Sequence, residues 1–117
     1  MVSAPPTIDL SGVMVELVAR RMQLLSDPLR LRLLLALQAG GEASVQQLAD
    51  KLDTEHRNAS RNLNALCDDG LLARRREGTR VLYSLADYTV CRVIAQVTQS
   101  IAARVEELSE LVLDPAA

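Results

Sequence analysis

The sequence predicts a mainly α domain with a two-stranded β wing: a winged helix-turn-helix, dimerised through its first and last helices. Three observations lead there. A short apolar stripe, Val45, Leu48 and Leu52, is followed after Asp53-Thr54-Glu55 by a second stripe, Ala59, Leu63 and Leu66. The stretch from Leu71 to Leu85 alternates around Gly78 and carries Arg74, Arg75, Arg76 and Arg80, as a basic hairpin would. Last, apolar residues recur every three or four positions through Val90, Ile94, Val97, Ile101, Val105, Leu108 and Val112.

In chain order, residues 1–8 read as a flexible arm, because Pro5-Pro6 opposes a helical start. A helix of about Leu10 to Leu25 follows, capped by Asp9 or Ser11, with Val13, Met14, Leu17, Val18, Met22 and Leu25 on its apolar side. Ser26-Asp27-Pro28 starts a second helix, Pro28 sitting in the tolerated first turn, and Gly40-Gly41 stops it. Leu29, Leu33, Leu34 and Leu37 make that helix the centre of the core, and Arg30 and Arg32 are expected in structural ion pairs, with DNA phosphate contact as the alternative. Asp53-Thr54-Glu55 then supplies caps for the second helix of the helix-turn-helix. Asp87 is the expected cap of a final helix of about 25 residues. Residues 9–113 thus form a single domain and 114–117 a short tail.

The 117 residues suffice for one aliphatic core, 49% hydrophobic but only 2% aromatic. Net charge is −2, so no basic coat covers the molecule. Its distribution is uneven: Arg57 to Arg80 holds six arginines against three acids, whereas Val81 onward holds two against five. One edge is therefore suited to a polyanion. No apolar run approaches the roughly 18 residues of a membrane span, and no secretory signal opens the chain. The expectation is a cytoplasmic protein with no membrane partner. Cys67 and Cys91, with 23 residues between them, make neither a disulfide framework nor a zinc knuckle. One histidine, with no readable nucleophile-base pair, argues against an enzyme.

The second helix of the pair carries His56, Arg57, Asn58, Ser60, Arg61 and Asn62 away from its apolar stripe. A polar, basic helix behind a tight turn suits a DNA major groove, which is about 12 Å wide and admits one helix. Arg74, Arg75, Arg76 and Arg80 would crowd the hairpin beside it. The expected partner is double-stranded operator DNA. A second copy is the other expected partner, because the final helix outruns the core and leaves an apolar strip. Val13 and Leu17 of the first helix would join Val90, Ile94, Val97, Ile101, Val105 and Leu108 of the last. Each buried aliphatic side chain contributes roughly 1.5–3 kcal/mol, more than a surface ion pair of about 1 kcal/mol or less. The competing expectations are a DNA-binding protein without a small effector, constitutive or governed by a partner protein, and a dimeric interaction protein that ignores DNA.

The chain resembles the ArsR/SmtB family of bacterial winged-helix repressors. The resemblance lies in Leu25-Ser26-Asp27-Pro28-Leu29-Arg30-Leu31-Arg32-Leu33-Leu34, Val45-Gln46-Gln47-Leu48-Ala49-Asp50-Lys51-Leu52, Ala59-Ser60-Arg61-Asn62-Leu63-Asn64-Ala65-Leu66, and Asp69-Gly70-Leu71-Leu72 before the arginine-rich wing. It implies repression of a palindromic operator, with release by a metal or other stress signal, and makes Ser60 and Arg61 the leading reader residues. The family's metal ligands are largely absent here. Gly41 to Leu48 contains no thiol, and although Asp87 fits an acidic ligand position, Thr89, Ser100 and Ala103 stand where imidazoles or other strong donors are expected. A transition metal such as nickel or zinc would need other ligands, so the metal site stays unassigned and the effector, metal or protein, open. Because some members respond to thiol oxidation, Cys67 and Cys91 are the redox candidates, with core packing as the alternative for both.

Overall fold

A computed structural model describes residues 11–113, so the expected arm at 1–8, the alternative cap at Asp9 and the tail at 114–117 lie outside the described residues. In order, the elements are α1 (Gly12–Leu24), α2 (Pro28–Gly40), β1 (Ala43–Ser44), α3 (Val45–Lys51), α4 (His56–Asp68), β2 (Leu72–Glu77), β3 (Arg80–Leu85) and α5 (Thr89–Leu113).

Local chemistry explains most boundaries. The Asp27 carboxylate accepts from the Arg30 backbone N–H at 3.0 Å, with Pro28 in the first turn of α2. Gly41, at φ 79°, then turns the chain out of the helix where a side chain would be strained. Ser44 and Gln47 form a reciprocal capping box on α3. The Asp87 carboxylate accepts from the Thr89 N–H at 2.9 Å as α5 begins.

The sheet has the order β1-β3-β2 and is antiparallel throughout. Glu77 pairs with Arg80, so the hairpin turns on Gly78-Thr79 alone, and Gly78 supplies the positive φ of 63°. The expected two-stranded wing is thus extended by a third strand: Ala43 pairs with Tyr83 and Ser44 with Leu82. Two residues are too few to alternate visibly in a sequence.

The core gathers Leu33, Leu34 and Leu37 from α2, Val45 and Leu48 from α3, Ala59, Leu63 and Leu66 from α4, and Leu71, Leu72, Tyr83 and Leu85 around the sheet. Val90 and Cys91 join it, with Ile94 packed at its margin. This corrects the expected seam: Val90 is only 3% exposed and belongs to its own domain, because the first turn of α5 lies across the core. The free apolar face of α5 starts later, with Val97, Ile101, Val105 and Leu108 each 44–58% exposed. In α1 no residue is buried, and Val13, Met14, Leu17, Val18 and Met22 are all open. Arg21 ties α1 to the rest through ion pairs with Asp69 and, at 3.8 Å, Asp87.

Candidate nucleic-acid interface

Helix α4 has two opposed faces because its apolar positions recur at helical spacing. Ala59, Leu63 and Leu66 are fully buried, which turns positions 56, 57, 60, 61 and 64 outward. His56, Arg57 and Arg61 are exposed and Ser60 is half-buried at the same surface. The side chains of His56, Arg57 and Ser60 make no hydrogen bond or ion pair among the described residues. They are available to a ligand.

A concavity of about 380 Å³ runs from this face to the hairpin and is lined by Gln46, His56, Ser60, Thr79 and Arg80. The helix pair and the wing therefore close on one groove. Gln46 and Thr79 were not singled out by sequence reasoning. Gln46 read as a solvated position on α3, and nothing in the spacing showed that the wing tip would swing beside it.

The four wing arginines are not equivalent. Arg75 donates to both carboxylate oxygens of Glu42, each at 2.6 Å, and to Glu77 at 2.9 Å. That pairing holds the Glu42 carboxyl below its ordinary value and the guanidinium more firmly charged still. Arg75 was expected at the polyanion surface; two carboxylates instead neutralise it there. Arg74 donates to the Asn64 side-chain oxygen, which also accepts from the Tyr83 hydroxyl at 3.0 Å, so this pair joins α4 to the sheet. Arg76 and Arg80 are exposed, and neither carries an ion pair among the described residues. No periodicity could have revealed Glu42, a loop residue 33 positions away from Arg75.

Asn62 and Asn58 also depart from expectation. Asn62 is 8% exposed and faces α2, where its side-chain oxygen accepts from Arg30 Nε at 2.8 Å. It is not a surface reader: residue 62 falls on the inward arc between Ala59 and Leu66. Arg30 is thus engaged within the domain, but through hydrogen bonds and not the expected ion pair, while Arg32 is exposed and has no ion pair among the described residues. Asn58 is half-buried and accepts from Arg61 at 3.1 Å.

The cysteines sit in apolar surroundings. Burial pushes both the Cys67 and the Cys91 thiol up, with Arg74 opposing the shift at Cys67 only in part. A raised thiol is the reverse of what a redox sensor needs. Metal chemistry at the family's positions fits no better: Asp87 is occupied by the Thr89 N–H and Arg21, and Ala103 offers no donor. Among the described residues no group of three or more His, Cys, Asp or Glu side chains is placed to hold a metal ion.

Known proteins share this arrangement. The family model HTH_20, a helix-turn-helix domain, matches residues 25–75. The HTH-type transcriptional regulator CmtR of Mycobacterium tuberculosis is 36% identical over 86 residues, which take in 74% of this chain and 72% of that protein. The HTH-type transcriptional regulator Rv0324 of the same species is 38% identical over 89 residues, 76% of this chain, but the match spans only 39% of that longer protein. The solution structure of Mb0332 from Mycobacterium bovis superposes with a TM-score of 0.72 at 34% identity, covering 89% of this chain and 95% of that one. It is described as a homodimeric winged helix-turn-helix DNA-binding domain of a possible ArsR-family regulator. Among the described residues no helix is long and apolar enough to cross a membrane. With a CmtR-like sequence, a winged helix-turn-helix and an exposed polar stripe facing its wing, the chain belongs to the ArsR/SmtB family of winged-helix transcriptional regulators.

Proposed function

We propose that the protein is a cytoplasmic, homodimeric repressor that holds a palindromic operator with two copies of α4 and two wings. The observation that carries this reading is the groove shared by His56, Ser60 and Arg80, flanked by Arg57 and Arg61. Arg57, Ser60 and Arg61 read bases or nearby phosphates, and Arg76 and Arg80 anchor the backbone alongside. Asn62, Asn58, Arg74 and Arg75 hold the frame. The seam is built from Val13 and Leu17 of α1 with Ile94, Val97, Ile101, Val105 and Leu108 of α5. Support comes from the exposure of both apolar faces and from the homodimeric state of the Mb0332 domain. A two-fold pair can set its reading helices about 34–36 Å apart, one turn of duplex.

Titration of the protein with duplex from its own upstream region, at several salt concentrations, tests the proposal. Salt-dependent, sequence-selective binding by a dimer is expected. Binding to neither that duplex nor random DNA would refute it. A second reading concerns control: regulation by a partner protein, or none, is favoured by the engagement of Asp87 and the lack of donors at Ala103. It requires operator affinity to be the same with and without nickel, zinc, cobalt, arsenite or oxidant.

A further inference from the structure

A chain of hydrogen bonds runs through the back of α4 to its exposed face. It begins at Arg30, whose guanidinium donates to the Leu24 carbonyl, the last residue of α1, at 3.2 Å, and to the Asn62 side-chain oxygen at 2.8 Å. The Asn62 amide donates to the backbone carbonyl of Asn58 at 2.8 Å and to its side-chain oxygen at 3.2 Å. The other end of the Asn58 side chain donates to the Thr54 hydroxyl at 3.4 Å, so its amide is held from both sides. Its oxygen then accepts from Arg61 at 3.1 Å.

A purely structural amide could end its task at Arg30. Here it continues outward, through a half-buried residue, to a guanidinium at the surface. Long arginine side chains lose several rotamers on docking, and one whose guanidinium is already held through one Nη, as Asn58 holds Arg61, loses fewer. We infer that Arg30, Asn62 and Asn58 are positioning residues that aim the Arg61 guanidinium at one base pair of the operator, and so set sequence preference there. This deepens the proposed function and rests on Arg61 reading a base.

The test selects binding sites from a randomised duplex library with the full-length wild-type protein, Arg61→Ala, Asn58→Ala and the double variant. Arg61→Ala identifies the base positions that lose preference. Asn58→Ala is expected to weaken preference at those positions about fivefold, the scale of one lost hydrogen bond, and to spare the others. In the double variant the Asn58 change should add nothing. Asn62→Asp, which keeps the acceptor for Arg30 but cannot donate to Asn58, should weaken the same positions. Melting temperatures and dimer content recorded alongside identify any variant that has lost its fold, and alanine at a half-buried helical site preserves it.

The inference is overturned if Asn58→Ala selects the wild-type sites, or if its effect persists undiminished without Arg61. It also falls if the loss spreads evenly over the site. Should the wild type select no sequence at all, the proposed function itself fails. Selection unaffected by Arg61→Ala leaves that function standing and removes only the relay.

Discussion

Salt dependence separates the wing arginines that meet DNA from those that do not. On α4 and the wing, five exposed arginines lack a carboxylate partner among the described residues; Asn64 engages Arg74, which leaves Arg57, Arg61, Arg76 and Arg80 in each protomer to meet DNA. A dimer in which all eight neutralise phosphates gives a slope of log K against log salt of about −7. Arg76→Gln with Arg80→Gln halves the number of contacts and brings the slope to about −4. Raising salt from about 50 to 200 mM then weakens wild-type binding about ten-thousand-fold and the double variant about hundred-fold. Arg75→Gln should leave the slope unchanged, because Glu42 and Glu77 already neutralise that cation. Fluorescence anisotropy on a labelled upstream duplex measures all three slopes. A loss of slope of about 2 in Arg75→Gln, half that of the double variant, would refute the reasoning, since it would mean that DNA displaces both carboxylates.

Other consequences are open to simpler assays. Val97→Glu with Ile101→Glu should give a folded monomer in sedimentation and abolish operator binding, because charge cannot be buried in the seam. Leu63→Ala, behind the exposed stripe, should cost about 2–5 kcal/mol in urea unfolding, the range for emptying a packed leucine site. Glu42 has its carboxyl depressed by Arg75, so its contribution is present above the ordinary value of 4.5 and disappears as pH falls through the lower folded value. Amide exchange in β2 should therefore rise in Glu42→Gln at neutral pH, and in wild type only at acid pH. Both thiols are raised above 9.0, so alkylation of the folded protein should be slow at pH 7 and stay slow past pH 9. In the window between 9.0 and the higher folded values only the unfolded chain ionises, so thermal stability should fall there as pH rises.

The helices were legible because their chemistry is local. Leu33, Leu34 and Leu37, the Asp27-Pro28 start and the stripe Ala59-Leu63-Leu66 all lie within a few turns of one another, and all are found where the spacing puts them. The hairpin was equally clear from Gly78 and the flanking alternation. What stayed hidden depended on distant parts of the chain. Glu42 reaches Arg75 across 33 positions, and Arg30 reaches Asn62 across 32. For the same reason the polar positions of α4 could be listed but not sorted into readers and framework: Asn62 looks as wet as Arg61 until α2 is laid against it. Val90 was misassigned because an apolar seam has the same period whether it faces its own core or another copy.

Helix α1 has a consequence for synthesis. It leaves the ribosome first among the described elements, yet none of its side chains is buried within its own chain. Arg21, its ion-pair link to the domain, must wait for Asp69 and Asp87 to be made. Newly made chains therefore carry a sticky, unsupported helix until they meet, and slow or dilute translation prolongs that exposure.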